Sequence, residues 1–352
     1  MNSVFVVAEI GCNHNGSKKL AKEMVLAAKK CGVDAVKFQT FNARALISSI
    51  APKAEYQKIT TGEADSQLEM TQKLELSHFD FIELRDYAIE LGLETFSTPF
   101  DMESVAFLEA QGQKIWKIPS GEITNLPYLE RIGRFDVKDK WIVLSTGMST
   151  IEEIRTALKI LQRDRKNRIT ILHCNTEYPT PDQDVNLSAI TDLQKTFPDY
   201  EIGFSDHSVG CVAATMAVAY GVKFIEKHFT LNKNFSGPDH KASATPEEMR
   251  ELVLNIRRAD TMLGCGKKIV TPSEEKNKIV ARKSIVAKTN IRKGDVFTEK
   301  NITCKRPGNG ISPIYWYDLL GKNAEADFEA DMLIRAEGLG GQLGDYEGCM
   351  CN

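Results

Sequence analysis

Eight short apolar runs, at residues 4–10, 35–40, 94–98, 115–119, 141–146, 169–175, 201–205 and 222–228, constrain this chain most. Amphipathic stretches such as 20–31, 79–91 and 151–161 lie between them. Most of the runs are apolar almost throughout, the pattern of parallel strands buried on both faces, and strands alternating with helices imply βα units. Eight such units in under 270 residues predict a (β/α)8 TIM barrel. A doubly wound open sheet would alternate too, but no Gly-x-Gly-x-x-Gly follows the first run. The connection over 41–79 is longer than the others. It carries a charged helical pattern at 63–76 and has the length of a loop that covers an active site.

After residue 266 the pattern changes. Residues 267–283 are rich in Lys and Glu and suit a linker with one helical stretch. Short strand-like pieces separated by Gly, Asp and Pro turns follow. The expected division is a barrel over 1–264, a linker over 265–283, a small β-rich domain over 284–334 and a disordered tail over 335–352. A domain of about fifty residues is marginal as an independent core, so it should pack on its own barrel or on a partner's.

With a net charge of −3 the chain lacks the basic excess that binding nucleic acid requires. No apolar run is long enough to span a membrane, and the first strand begins without a basic leader, so a cytoplasmic location is expected. The eight cysteines are mostly dispersed among strand and helix patterns, as reduced, buried thiols would be.

A barrel places its chemistry at the C-terminal ends of its strands. Here those ends are polar: Glu9, Lys37 with Gln39, Ser97, Lys117 followed by Ser120 and Glu122, Ser145, Asn175, Ser205 with His207, and His228. Either lysine alone is explained by snorkelling or an ion pair. Both in one barrel mouth, beside Ser120, Ser145, Asn175 and Ser205, would make an anion site suited to phosphate. His207 and His228 suit a divalent metal with open positions, or are two hydrogen-bonded strand-end imidazoles. Arg306, beside a Pro-Gly turn in the small domain, reads on its own as a solvated turn residue.

Several segments together resemble the bacterial N-acetylneuraminate (sialic acid) synthases. They include Ala8-Glu9-Ile10-Gly11-Cys12-Asn13-His14, Lys117-Ile118-Pro119-Ser120-Gly121-Glu122, Gly203-Phe204-Ser205-Asp206-His207, Glu226-Lys227-His228 and Lys305-Arg306-Pro307-Gly308-Asn309-Gly310. The resemblance runs from residue 4 to about 334. It implies a TIM barrel followed by an antifreeze-like (SAF) domain of β-clip type. It also implies condensation of phosphoenolpyruvate with N-acetylmannosamine and water, releasing phosphate. Legionaminate synthases share the architecture and use a 2,4-diacetamido-2,4,6-trideoxyhexose, which is the alternative sugar. A non-catalytic binding protein built on the antifreeze-like domain is the remote alternative.

By the same resemblance Lys37, Lys117, Ser120, Ser145, Asn175 and Ser205 hold phosphoenolpyruvate. His207 and His228 hold Mn²⁺, with Mg²⁺ or Co²⁺ as substitutes. Glu122 orients or deprotonates the water, and Glu9 takes part in proton transfer or holds the substrate. Gln39, Tyr178 and Asp239 bind sugar hydroxyls. Arg306 reaches the N-acetyl group from the other subunit of a domain-swapped homodimer.

Overall fold

The computed structural model describes residues 3–164 and 166–335. It divides into two compact units, Met1–Gly264 and a second beginning at Cys265. The expected tail lies, from residue 336 onward, outside the described residues.

The first unit is the barrel. Its strands are β1 (Phe5–Glu9), β2 (Ala35–Thr40), β3 (Glu94–Pro99), β4 (Ile115–Ile118), β5 (Trp141–Ser145), β6 (Arg168–Cys174), β7 (Glu201–Asp206) and β8 (Phe224–His228). All the ladders are parallel, in the order β3-β2-β1-β8-β7-β6-β5-β4, and the two end strands β3 and β4 abut to close the ring. Most of the outer helices have a side-chain cap at their start and bury an inward apolar face. In α1 (Lys18–Cys31) the Ser17 hydroxyl accepts from the Leu20 amide, and Met24, Val25 and Ala28 are buried against the strands.

The barrel interior follows the two-residue period of its strands. Val7, Ala35, Phe96, Ile115, Val143, Leu172 and Phe224 point inward and form a buried apolar plug. β7 contributes Gly203 at this level. A Cβ there would come within 2.5 Å of Leu172 and 2.7 Å of the Phe224 carbonyl, so the plug leaves no room for a side chain. The outward face is polar in places as well: Lys227 pairs with Asp206 at 2.7 Å, and Thr40 bonds Ser97 at 2.7 Å, all of them buried.

The long connection after β2 is built from α2 (Ala43–Leu46), α3 (Glu55–Thr61) and α4 (Gln67–Gln72), followed by α5 (His78–Glu90). One helix over 63–76 does not form. Ser66 caps α4 reciprocally with Glu69, which starts that helix at Gln67 and leaves 63–66 as a bend.

In the second unit a helix over Pro272–Ala281 precedes an antiparallel pair, β9 (Ser284–Ala287) and β10 (Ile302–Lys305). Ile285, Ala287, Ile291, Phe297, Ile302, Leu319 and Phe328 form its own buried core. No helix among the described residues is long and apolar enough to cross a membrane.

Candidate active site

Two residues beyond the apolar plug, the same strands carry Glu9, Lys37, Thr98, Lys117, Ser145, Cys174, Ser205 and Glu226 on the same inward face. A cavity of about 490 Å³ opens above this layer. Its lining includes Lys37, Gln39, Lys117, Ser120, Glu122, Ser145, Tyr178, Ser205, His207, His228 and Asp239, so most of the residues expected from the sequence meet in one place.

The floor is a buried charge cluster. Lys117 Nζ lies 2.8 Å from Glu226 Oε1, and the Ser205 hydroxyl donates to the same oxygen at 3.1 Å. Lys37 Nζ pairs with Glu9, lies 3.8 Å from Glu226 Oε2 and donates to Thr98 Oγ1 at 3.1 Å. Adjacent parallel strands set these pairings, because Glu9 is in register with Lys37, and Ser205 with Glu226. Burial pushes the Glu226 carboxyl up, but Lys117 and Lys37 outweigh it and hold it well below the usual carboxylate range. Glu9 differs: burial pushes it up to about 7, the nearby charge of Glu226 adds to the rise, and Lys37 offsets only part. Two ammonium groups held by hydroxyls and carboxylates form a preorganised site for an anionic ligand.

Ser120 and Glu122 occupy a short turn after β4, Ser120–Glu122. The Gly147 amide donates to Ser120 Oγ at 3.0 Å, and a Cβ on Gly147 would lie 2.9 Å from that oxygen. Half-buried Glu122 accepts from Asn125 Nδ2 at 2.6 Å, and burial raises its pKa despite that bond.

The two imidazoles stand together, with ring centres 5.2 Å apart. His207 Nδ1 points at the Asn175 carbonyl, which selects the Nδ1–H tautomer and leaves Nε2 as the lone-pair donor, 3.2 Å from the Tyr178 hydroxyl. Burial lowers the His207 pKa to about 4, and burial together with His207 and Lys37 pushes His228 well below its ordinary value. Both rings are therefore neutral. His228 Nδ1 is buried without a hydrogen-bond partner, 3.5 Å from Asp239 Oδ2. An orphaned ring nitrogen and two neutral imidazoles at a cavity wall fit a divalent ion. Among the described residues no group of three or more His, Cys, Asp or Glu converges on a metal position, so such an ion would complete its shell with substrate or water oxygens.

Four expected residues sit elsewhere. Glu9 lies beneath the cavity, fully buried, accepting from Gln39 Nε2 at 3.0 Å, so it reaches a ligand only through Lys37 and Gln39. The Asn175 side chain turns away to accept the Glu177 amide at 2.8 Å; its carbonyl orients His207 instead. Ser97 faces outward, and its neighbour Thr98 takes the inward position. Arg306 lies in the second unit, exposed, its Nε donating to the Ala281 carbonyl at 3.0 Å. Glu226 and Tyr56 are among the lining residues that were not anticipated. Glu226 shares the inward face of β8 with His228, and Tyr56 of α3 places its ring 5.2 Å from that of Tyr178.

Comparison with known proteins adds to this geometry. The NeuB family matches residues 24–268, and the SAF domain matches 282–340. The N,N'-diacetyllegionaminic acid synthase of Campylobacter jejuni is 48% identical over 337 residues, 95% of this chain and 100% of that protein. The synthase of the same name from Legionella pneumophila is 42% identical, across 93% of this chain and 92% of that protein. The crystal structure of N-acetylneuraminic acid (sialic acid) synthetase from Leptospira borgpetersenii is 33% identical, with a TM-score of 0.68, covering 78% of this chain and 90% of that one.

Proposed function

The chain belongs to the NeuB family, whose members are phosphoenolpyruvate-using synthases of nonulosonic acids, and on that premise we propose which of these reactions it performs. It condenses phosphoenolpyruvate with 2,4-diacetamido-2,4,6-trideoxymannose and water, giving N,N'-diacetyllegionaminic acid and phosphate, and it does so in the cytoplasm. Legionaminic acid synthases at 48% and 42% identity, against 33% for the neuraminic acid synthetase, favour this sugar over N-acetylmannosamine.

The observation that carries the reaction class is the buried Lys37 and Lys117 pair under a cavity that also holds two neutral imidazoles. Lys37, Lys117, Ser120, Ser145 and Ser205 bind the carboxylate and phosphate of phosphoenolpyruvate. Gln39, Tyr178 and Asp239 orient the open-chain sugar so that its aldehyde carbon faces C3 of phosphoenolpyruvate. His207 and His228 hold a divalent ion, Mn²⁺ by preference, which when bound supplies Lewis-acid polarisation of the aldehyde oxygen. Glu122, with its raised pKa, takes a proton from the water that adds at C2, and phosphate then leaves with the bridging oxygen. Arg306 serves the C2 acetamide in the barrel of a partner subunit, as the family resemblance implies.

Phosphate release from phosphoenolpyruvate, measured with each sugar in turn, tests the proposal. The diacetamido sugar should give the higher kcat/KM. Release with neither sugar would remove the reaction class as well.

A further inference from the structure

The cavity has two chemically different sides. The strand ends contribute charged and hydroxyl groups, whereas the connection over 41–76 contributes an apolar patch of Leu46, Ile47, Ala51, Met70 and Leu74 beside the neutral polar side chains of Ser48, Gln57, Gln67 and Thr71. That connection is rich in charge, yet none of its charged side chains lines the cavity. They are spent on one another instead: Lys58 pairs with Glu55 at 3.0 Å, Lys73 with Asp65 at 2.5 Å, and Glu69 closes the cap on Ser66 at 2.8 Å. The wall is also tied in place. Buried Lys53 donates to Thr61 Oγ1 at 3.1 Å and to the Gly62 carbonyl at 2.9 Å, and the Asn42 amide donates to Asp101 at 2.8 Å. Its base abuts the loop after β1, where a Cβ on Gly16 would come within 2.5 Å of the Lys73 carbonyl.

A preformed apolar wall opposite a polar floor sorts its ligand by which end of the sugar carries hydroxyls. The aldehyde end must face the floor, so the far end meets the wall. A hydroxyl pressed against Ile47, Met70 or Leu74 loses water and gains no partner from those side chains, while a methyl gains contact. We propose that this wall is the specificity determinant, receiving the C6 methyl and the C4 acetamido methyl of the sugar, with Met70 and Ile47 as two of its contacts. The amides of Gln57 and Gln67, which also line the cavity, are the polar groups at hand for the acetamide itself. The inference rests on the sugar assignment made above and adds where the discrimination occurs.

The test is a ratio. kcat/KM is measured for 2,4-diacetamido-2,4,6-trideoxymannose and for N-acetylmannosamine with wild type, Met70→Gln and Ile47→Thr. A methyl in an apolar pocket sets selectivity by roughly 10-fold or more, so each variant should lower the wild-type preference by about that factor while KM for phosphoenolpyruvate holds. Damage to folding lowers both substrates together and leaves their ratio, and half-buried Ile47 decides the matter if Met70→Gln does not fold. A wild-type preference for the diacetamido sugar that both variants retain overturns this inference alone. A wild-type preference for N-acetylmannosamine overturns it together with the sugar assignment.

Discussion

Replacing Glu9 with Gln tests whether the lysine pair prepares for its anion by taking up a proton. In the free site Lys37 and Lys117 face Glu9 and Glu226, two positive charges matched by two negative ones. Phosphoenolpyruvate brings a carboxylate and a phosphate of about −1.5 to −2 charge. Glu226 is held ionised, whereas Glu9 is pushed up to about 7, so Glu9 is the carboxylate that neutralises when the anion arrives. The sign follows from linkage. An ionised form that opposes binding leaves affinity intact below its pKa and weakens it about tenfold per pH unit well above. A group of pKa about 7 loses most of its proton between pH 7 and pH 9, so Kd should rise by more than tenfold over that interval. Glu9→Gln keeps an acceptor for Gln39 and should bind with no such slope. Calorimetry in buffers of different ionisation heat counts the protons directly, and wild type should take up about one at pH 9. Asp239, also raised to about 7 by burial and by Glu9, titrates in the same window, so Asp239→Asn is run alongside and should keep the slope. A Glu9→Gln protein that retained the wild-type pH dependence, or wild type that bound without proton uptake, would refute the reasoning.

Chelation should stop turnover and Mn²⁺ restore it, with His207→Ala and His228→Ala each losing Mn²⁺ binding by calorimetry. Near wild-type turnover of either variant in metal-free buffer would remove the metal from the account. Lys117→Met strands Glu226 in the interior with Lys37 at 3.8 Å, and urea unfolding should show a loss of about 3 kcal/mol or more. Adding Glu226→Leu should recover part of it, because Lys37 keeps Glu9 as its partner; a single-variant loss under about 1 kcal/mol would place these charges in a far wetter site. Mixing Arg306→Ala with Glu122→Gln protomers should regenerate activity if Arg306 serves a partner's barrel. Verified mixed dimers without recovery would contradict that role.

The barrel was legible because most of its buried parallel strands are apolar runs with a polar residue at or just beyond the end. That signal also located Lys37, Lys117, His207 and His228. It did not report which face a strand-end residue takes. Ser97 and Thr98 differ only in parity, and the inward one is Thr98. Parity could have found Glu226, which stands two residues before His228 on β8, while Lys227 between them faces outward to Asp206. Depth was less accessible. Glu9 ends its strand, but Lys37, in register with it, lies three residues short of the end of β2, so Gln39 on that longer strand covers Glu9. Asn175 lies one residue past β6, where its side chain bonds the next turn rather than the cavity. The connection over 41–76 was expected to cover the site, but which of its side chains face the cavity was out of reach, since a segment of short capped helices has no single period to read.

Isotope transfer from phosphoenolpyruvate labelled with ¹⁸O at the bridging oxygen tests the central claim most directly. Incubated with the full chain, Mn²⁺ and 2,4-diacetamido-2,4,6-trideoxymannose, it should yield one labelled phosphate per molecule of nine-carbon 2-keto acid, because water adds at C2 and the C–O bond breaks. Label retained in the sugar acid, or no phosphate at all, would contradict the account.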